Sequence, residues 1–199
     1  GLGHGFGQLT QFDLIKALEY CDTYVPLEKV RPICWGGVLQ EYASFAPPDM
    51  VQSENIWHPC DKLAKDEYRS VCAYVLADLV WNLQYHFDLK KTIELCASAQ
   101  DEPLRRGCLL GAGYYVGKYA TDNPVEEARQ DCSEFFSDKY LRYYCFISAA
   151  NTFAVLQPTK PELAVTLCSE LPVGFQLICR LSATERSLFT YINELSRHH

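Results

Sequence analysis

Ten cysteines stand at positions 21, 34, 60, 72, 96, 108, 132, 145, 168 and 179 of a 199-residue chain. Taken two at a time, the members of each pair are 13, 12, 12, 13 and 11 residues apart. The first members of successive pairs are 39, 36, 36 and 36 apart. A period of 36 residues is the mark of a repeat architecture, in which one supersecondary unit buries its apolar side only against its neighbours. The chain therefore reads as a single domain, 1–199, with a partial first unit over 1–20 followed by units at 21–59, 60–95, 96–131, 132–167 and 168–199.

Each unit follows one plan. An apolar stretch with small residues begins three to five positions after the second cysteine of a pair: Gly37, Gly111 and Gly113, Ser148 to Ala150, Ser182 and Ala183. A break comes next, carrying helix-start chemistry at Pro48-Asp49, Asp88, Asp122-Asn123-Pro124 and Thr159-Lys160-Pro161. Asp, Asn and Thr cap helix N-termini and Pro fits the first turn. A short helix then runs to the next cysteine, as in "DLIKALEYC", "DLKKTIELC", "NPVEEARQDC" and "KPELAVTLC". In the first of these, Leu14, Ala17, Leu18 and Cys21 share one face at helical spacing. The link between paired cysteines is polar and often holds proline. The expected unit is a helical hairpin, with one cysteine at the end of the short helix and the other one to two turns into the long helix.

Antiparallel packing of such a hairpin brings the two sulfurs within disulfide range. The expected pairing is local: Cys21–Cys34, Cys60–Cys72, Cys96–Cys108, Cys132–Cys145 and Cys168–Cys179. Zinc is disfavoured, because the chain has no C-x-x-C and no cysteine–histidine cluster at zinc spacing, and no metal or other cofactor is expected. Ten paired cysteines imply an oxidising compartment, so the expected location is secreted, cell-surface or periplasmic. The net charge of −7 argues against nucleic acid as a partner, since that needs a surplus of Lys and Arg. No apolar run reaches the length of a transmembrane segment.

The opening "GLGHGFGQL" aligns with "GAGYYVGKY" at Gly111–Tyr119: Gly1 meets Gly111, Gly3 meets Gly113 and Gly7 meets Gly117, with Cys21 and Cys132 one residue out of step. The opening is read as the long helix of a unit whose own cysteines lie upstream of residue 1. Neither phosphate-binding pattern fits. Phe6 occupies the third glycine position of G-x-G-x-x-G, and Gly111 to Gly117 is one residue too long for a P-loop, with Tyr119 where Ser or Thr is required. Each glycine costs about 1 kcal/mol relative to Ala in a helix, so close helix packing is the expected reason for them. Leu2, Phe6 and Leu9 are expected to pack onto the first complete unit.

With its period of 36, paired helices, "GCLLGAGYYVG" and "VEEARQDC", the chain resembles Sel1-like repeats, the tetratricopeptide-type α-helical family, and within it the secreted cysteine-rich branch. The likeness is good over 96–132, fair over 145–179 and poor over 34–60, and the cysteine links are longer than that branch implies. The resemblance implies an all-α, right-handed α-solenoid with one disulfide per hairpin. It also implies a protein-binding scaffold, by analogy of fold alone. It carries over no site residue.

Catalytic motifs of the G-x-S-x-G, H-E-x-x-H and EF-hand kinds are absent from the sequence, and no catalytic residue is assigned; the chain leans away from being an enzyme. His58 is read as a helix-end residue, His86 as a cap at a helix break, and His198-His199 as a polar tail. Thirteen tyrosines include runs at Tyr114, Tyr115, Tyr119 and at Tyr140, Tyr143, Tyr144. Tyrosine suits interfaces because it buries a large area at low entropic cost. Tyr114, Tyr115, Tyr140 and Tyr143 are therefore expected to be partly exposed and to line up as one strip. The function expected is an extracellular protein–protein interaction or structural assembly module, whose partner is another protein or the chain itself. The alternative is a secreted hydrolase or small-ligand-binding domain with a pocket near His4.

Overall fold

A computed structural model describes residues 1–46, 55–79, 88–136, 138–185 and 188. The described chain is all-helical, with ten α-helices, two 3₁₀ turns and no strand. The helices are α1 (Leu2–Leu9), α2 (Leu14–Tyr24), α3 (Arg31–Phe45), α4 (Asp66–Leu79), α5 (Leu89–Ser98), α6 (Glu102–Tyr119), α7 (Pro124–Phe135), α8 (Lys139–Leu156), α9 (Pro161–Ser169) and α10 (Val173–Glu185). None is long and apolar enough to cross a membrane. Pro48-Asp49, His86, His198 and His199 lie outside the described residues.

Side-chain chemistry sets the helix starts. Asp13 and Asp88 accept the backbone N–H of Lys16 and Lys91 at 3.1 Å, capping α2 and α5. Asp101 and Asp138 do the same for the long helices α6 and α8, accepting from Leu104 at 3.0 Å and from Tyr140 at 2.7 Å. Each such cap satisfies an otherwise orphaned donor. The starts of α7 and α9 depart from expectation: neither Asn123 nor Lys160 caps with its side chain. Pro124 and Pro161 open these helices without needing a donor partner. Glu127 reaches back to accept N–H bonds from Thr121, Asp122 and Asn123 at 2.7–3.2 Å. These bonds hold its carboxyl below the usual range.

Five disulfides each join one element to the long helix that follows it: Cys21–Cys34, Cys60–Cys72, Cys96–Cys108, Cys132–Cys145 and Cys168–Cys179, with Cα separations of 5.4–5.8 Å. Closing loops of this size stabilises by about 3 kcal/mol each in the chain-entropy account. In four of the pairs the first cysteine sits on a short α-helix. Cys60 instead lies in the 3₁₀ turn Cys60–Lys62, and His58 belongs to the turn before it.

The longer helices α3, α4, α6 and α8, with α1 and α10 beyond them at the two ends, form a layer in the order α1, α3, α4, α6, α8, α10, each packed on the next. The remaining short helices pack beside it: α2 against α1 and α3, α5 against α6, α7 against α6 and α8, and α9 against α8 and α10. Residue numbers climb together across the seams, so neighbouring helices in the layer run parallel. Gly3 and Gly7 face Cys34 and Val38; Gly107 and Gly111 face Ser70 and Tyr74; Gly113 and Gly117 face Cys145 and Ala149. At each of these positions except Gly7 the opposing helix's backbone occupies the place of a Cβ; at Gly7 the Glu41 side chain lies there instead. A Cβ on Gly113 would lie 2.9 Å from the Cys145 Cα, and one on Gly117 would lie 2.8 Å from the Ala149 oxygen. One on Gly107 would collide with the Ser70 carbonyl. The close approach also lets small polar groups bond across the seams: Ser70 Oγ to the Pro103 carbonyl at 3.1 Å, Ser148 Oγ to Leu110 at 2.5 Å, and Asn151 Nδ2 to Ser182 at 2.7 Å. Leu109, Leu110, Ile147, Phe153 and Leu167 fill the fully buried core.

The expectation that Leu2 and Leu9 pack inward is corrected. On α1, Gly3 and Gly7 form the side against α3, which turns Leu2 and Leu9 to solvent. Phe6 points sideways onto Tyr20 and Tyr24, with ring centroids 5.7 and 6.2 Å away.

One carboxylate links α2, α3 and α4. Asp22 accepts from Trp35 Nε1 at 2.9 Å, from the Tyr68 hydroxyl at 2.6 Å and from Lys65 Nζ. Burial alone raises the Asp22 carboxyl, but its bonds from Lys65, Tyr68 and Trp35 outweigh that and hold it below its ordinary value. Tyr68 is pushed up to about 12, first by burial and then by Asp22.

Gly107→Ala and Gly117→Ala each destabilise by about 1–3 kcal/mol through overpacking. Gly174→Ala, whose Cβ meets nothing within 4 Å, stabilises by up to about 1 kcal/mol through helix propensity. Denaturant titration under non-reducing conditions checks all three, and equal losses at all three sites contradict the seam. For Asp22, a folded pKa below the unfolded one adds stability that is full above about pH 4 and is lost as pH falls through the folded value. Asp22→Asn therefore lowers stability at pH 7 by about 1–2 kcal/mol and flattens its decline below pH 4. Thermal melts of both proteins across pH 2–7 read this, and parallel profiles contradict it.

Candidate functional site

The starts of α6 and α8 lie side by side and, with Ala97 of α5, enclose a groove of about 660 Å³. It is lined by Glu102, Arg105, Arg106, Asp138, Tyr140, Leu141 and Tyr144. Its floor is rigid. The Arg106 guanidinium is buried, donating to both Glu102 oxygens at 2.9 and 2.8 Å and to Ser70 Oγ at 3.0 Å. Ser70 in turn donates to the Pro103 carbonyl. Buried Tyr144 is pushed up to about 12, by burial first and the Glu102 charge second, so its hydroxyl keeps its proton at neutral pH.

The walls are more open. Arg105 is half-buried, and its guanidinium makes no hydrogen bond or ion pair among the described residues. Tyr140 is 43% exposed, sits edge-on to Tyr143 with centroids 6.0 Å apart, and has the Lys139 ammonium 5.9 Å from its ring. The arrangement offers a guanidinium, an aromatic face and two acidic edges, Glu102 and Asp138, in one concavity. This chemistry suits a polypeptide segment with mixed charge and an apolar side chain.

The expected tyrosine strip is corrected. Tyr115 is 2% and Tyr143 8% exposed, because α6 and α8 have neighbours on nearly every side. The two runs also turn in opposite directions. Tyr114 is half-buried against Tyr74 of α4, with centroids 6.2 Å apart, whereas Tyr143 packs on Phe175 of α10 at 4.8 Å. At the far end of α6, exposed Tyr119 stacks on Tyr115, and Lys118 lies 5.4–5.9 Å from the rings of Tyr114, Tyr115 and Tyr119. Its own lysine thus covers that cluster.

His4 is half-buried and faces Gly37 across the α1–α3 seam. A cavity of about 320 Å³ adjoins it, lined by Val25, Val30, Ile33 and the α1 backbone, with His4 and Gln40 its only polar side chains among the described residues. Among the described residues, that lining holds no side-chain nucleophile or carboxylate to work with His4. Among the described residues, no cluster of His, Cys, Asp and Glu is arranged to hold a metal ion.

Arg105 and Arg106 were not singled out by the sequence. The signal that points to them is local: both follow Asp101, a helix cap, by one turn, where side chains project beside the helix start. No protein-family profile, curated protein or solved structure matches this chain.

The burial pattern predicts how the tyrosines divide. Tyr115→Ala and Tyr143→Ala each cost about 3–5 kcal/mol, as for other buried large aromatics. Tyr119→Ala and Tyr140→Ala stay within about 0.5 kcal/mol of the parent. Four melting curves decide it, and a uniform result at all four positions contradicts the assignment.

Proposed function

We propose that the chain is an extracellular interaction module: a right-handed α-solenoid of disulfide-stapled hairpins, akin to the cysteine-rich branch of Sel1-like repeats, that binds a segment of another protein. The observation that carries this reading is the groove at the starts of α6 and α8. It combines Arg105 with an exposed Tyr140 over a floor fixed by the Arg106–Glu102–Ser70 bonds. Tyr and Arg are the residue types that dominate binding hot spots, and a rigid floor spares the ordering cost of association. Five disulfides support a location outside the reducing cytosol. A hydrolytic role beside His4 has no support from the lining of that cavity.

The test uses a photo-crosslinking residue in place of Tyr140, and as a control in place of Ile15, which is exposed at the other end of the molecule. Both proteins are incubated with the extracellular fluid of the source cells. Crosslinks to a discrete protein from position 140, absent from position 15, are expected. With that protein purified, Tyr140→Ala and Arg105→Ala each weaken binding about thirtyfold without moving the melting temperature. Equal crosslinking from both positions, or affinity unchanged in both variants, overturns the reading.

A further inference from the structure

The groove at the starts of α6 and α8 is a step. Across the α6–α8 seam, facing residues differ in number by 32, as Gly113 does from Cys145 and Gly117 from Ala149. The two capping residues, Asp101 and Asp138, differ by 37. The first turn of α6 therefore overhangs the start of α8 by five residues, about 7 Å at the helical rise. The same register sets Arg105 at the mouth of α8, one residue outside Asp138. Tyr140 and Leu141 lie three and four residues further in, about 5–6 Å along the helix. Charge in the step is unequally compensated. Glu102 accepts two bonds from Arg106, and Asp138 accepts from the backbone of Tyr140 and Leu141. The half-buried Arg105 guanidinium has no such partner among the described residues. Partial burial removes some of its hydration, which an opposite charge would restore.

We propose that the groove takes an extended, internal segment of the partner in which a single Asp or Glu stands two residues from an apolar side chain. Alternate residues of an extended segment point the same way, and two of them span about 6.6 Å. That span matches the distance from Arg105 to the bed formed by Tyr140 and Leu141. The carboxylate meets the guanidinium in a two-pronged bond, and the apolar side chain covers the bed. Glu102 and Asp138 flank Arg105 and repel a second negative charge, so a run of acids or a phosphate dianion is disfavoured. The net charge of −7 acts in the same direction at longer range. Neighbours of the acid are therefore neutral or basic. A carboxylate at a chain terminus is captured in a nest of backbone N–H groups. Here Asp101 already takes the N–H of Leu104, and Asp138 takes those of Tyr140 and Leu141, which leaves the side chain of an internal residue as the source. This inference rests on the peptide-binding reading of the groove and adds the chemistry of what it binds.

The test is selection on the oxidised chain from a library of random short peptides displayed inside a carrier loop, where no peptide has a free end. Selected sequences are then synthesised with both ends capped and titrated by calorimetry at low and high salt. Peptides with one acid two residues from an apolar side chain, in either order, are expected, with binding that weakens as salt rises. Changing that acid to its amide weakens binding about tenfold or more. Arg105→Glu selects Lys or Arg in place of the acid and keeps the apolar neighbour, whereas Arg105→Gln selects neither charge. The Arg105 guanidinium bonds to nothing in the fold, so both variants keep the parent's melting temperature. Selected peptides without an acid overturn the proposal, as does an Arg105→Glu variant that selects the same acidic peptides. So does an amide peptide that regains full binding when its C-terminus is freed, since the carboxylate is then a terminal one. Peptides whose binding is lost in Tyr140→Ala but is indifferent to the charge at Arg105 overturn this inference and leave the groove as a binding site. A library that yields no binder also overturns it, and crosslinking from position 140 then reports independently whether the groove binds a protein.

Discussion

The architecture depends on how closely the long helices approach one another at α6. Gly107 and Gly111 admit the backbone of α4 on one side, and Gly113 and Gly117 admit that of α8 on the other. The two pairs are each spaced i, i+4 and lie on opposite faces of one helix. A helix that gives up side chains on two faces loses propensity at four positions, about 1 kcal/mol at each. What offsets this loss is dispersion between backbones in direct contact, together with the hydrogen bonds that only a short separation permits, such as Ser148 Oγ to the Leu110 carbonyl. Buried small polar residues are therefore part of the same solution. Ser70, Ser148 and Ser182 are each fully buried, and each has its partner within or across a seam.

The disulfides act on a different scale. Each closes a loop of about a dozen residues, and so holds a short element against the long helix that follows it. None crosses from one long helix to the next. Long-range order is left to the glycine seams and to a few polar links, of which Asp22 is the most connected, touching α3 and α4 from α2. The covering helices add ties of their own: Arg129 of α7 reaches Glu170 at the end of α9 at 2.8 Å. Covalent bonds fix the hairpins and packing fixes their arrangement.

Much of this was legible in the sequence because the constraints repeat. Cysteine spacing marked the helical pairs, and the small residues after each second cysteine (Gly37, Gly111, Gly113, Ser148, Ser182) are the ones found at the seams. Alignment of the opening with Gly111–Tyr119 placed Gly3 and Gly7 beside Gly113 and Gly117, and in the structure each pair faces the long helix that follows it in the layer. The one-residue slip between Cys21 and Cys132 reappears as seam offsets of 31 for Gly3–Cys34 and 32 for Gly113–Cys145. What was illegible depends on rotation about the helix axis. Periodicity within α6 or α8 does not tell a buried Tyr115 or Tyr143 from an exposed Tyr140, because these helices are apolar on nearly all sides. Leu2 and Leu9 misled for the opposite reason: on a glycine-rich helix the side that packs is the one with no side chains, so the apolar residues are left on the outside.

That inversion bears on how a candidate site is recognised in such a chain. In an ordinary amphipathic helix the large apolar residues mark the core and the small ones are neutral. Here the glycines mark the closest contacts, and exposed Leu, Val and Tyr mark surfaces the internal packing did not consume. The groove at the starts of α6 and α8 fits the same logic. Helices drawn together along Gly107–Gly117 must still accommodate their capping residues and first-turn side chains at the ends, where Arg105, Tyr140 and Tyr144 are too large to interdigitate. The concavity is therefore a geometric consequence of tight seams ending in bulky residues. Its shape is held by the same buried Arg106 and Ser70 bonds that close the α4–α6 seam, which couples the rigidity of the surface directly to the packing of the core.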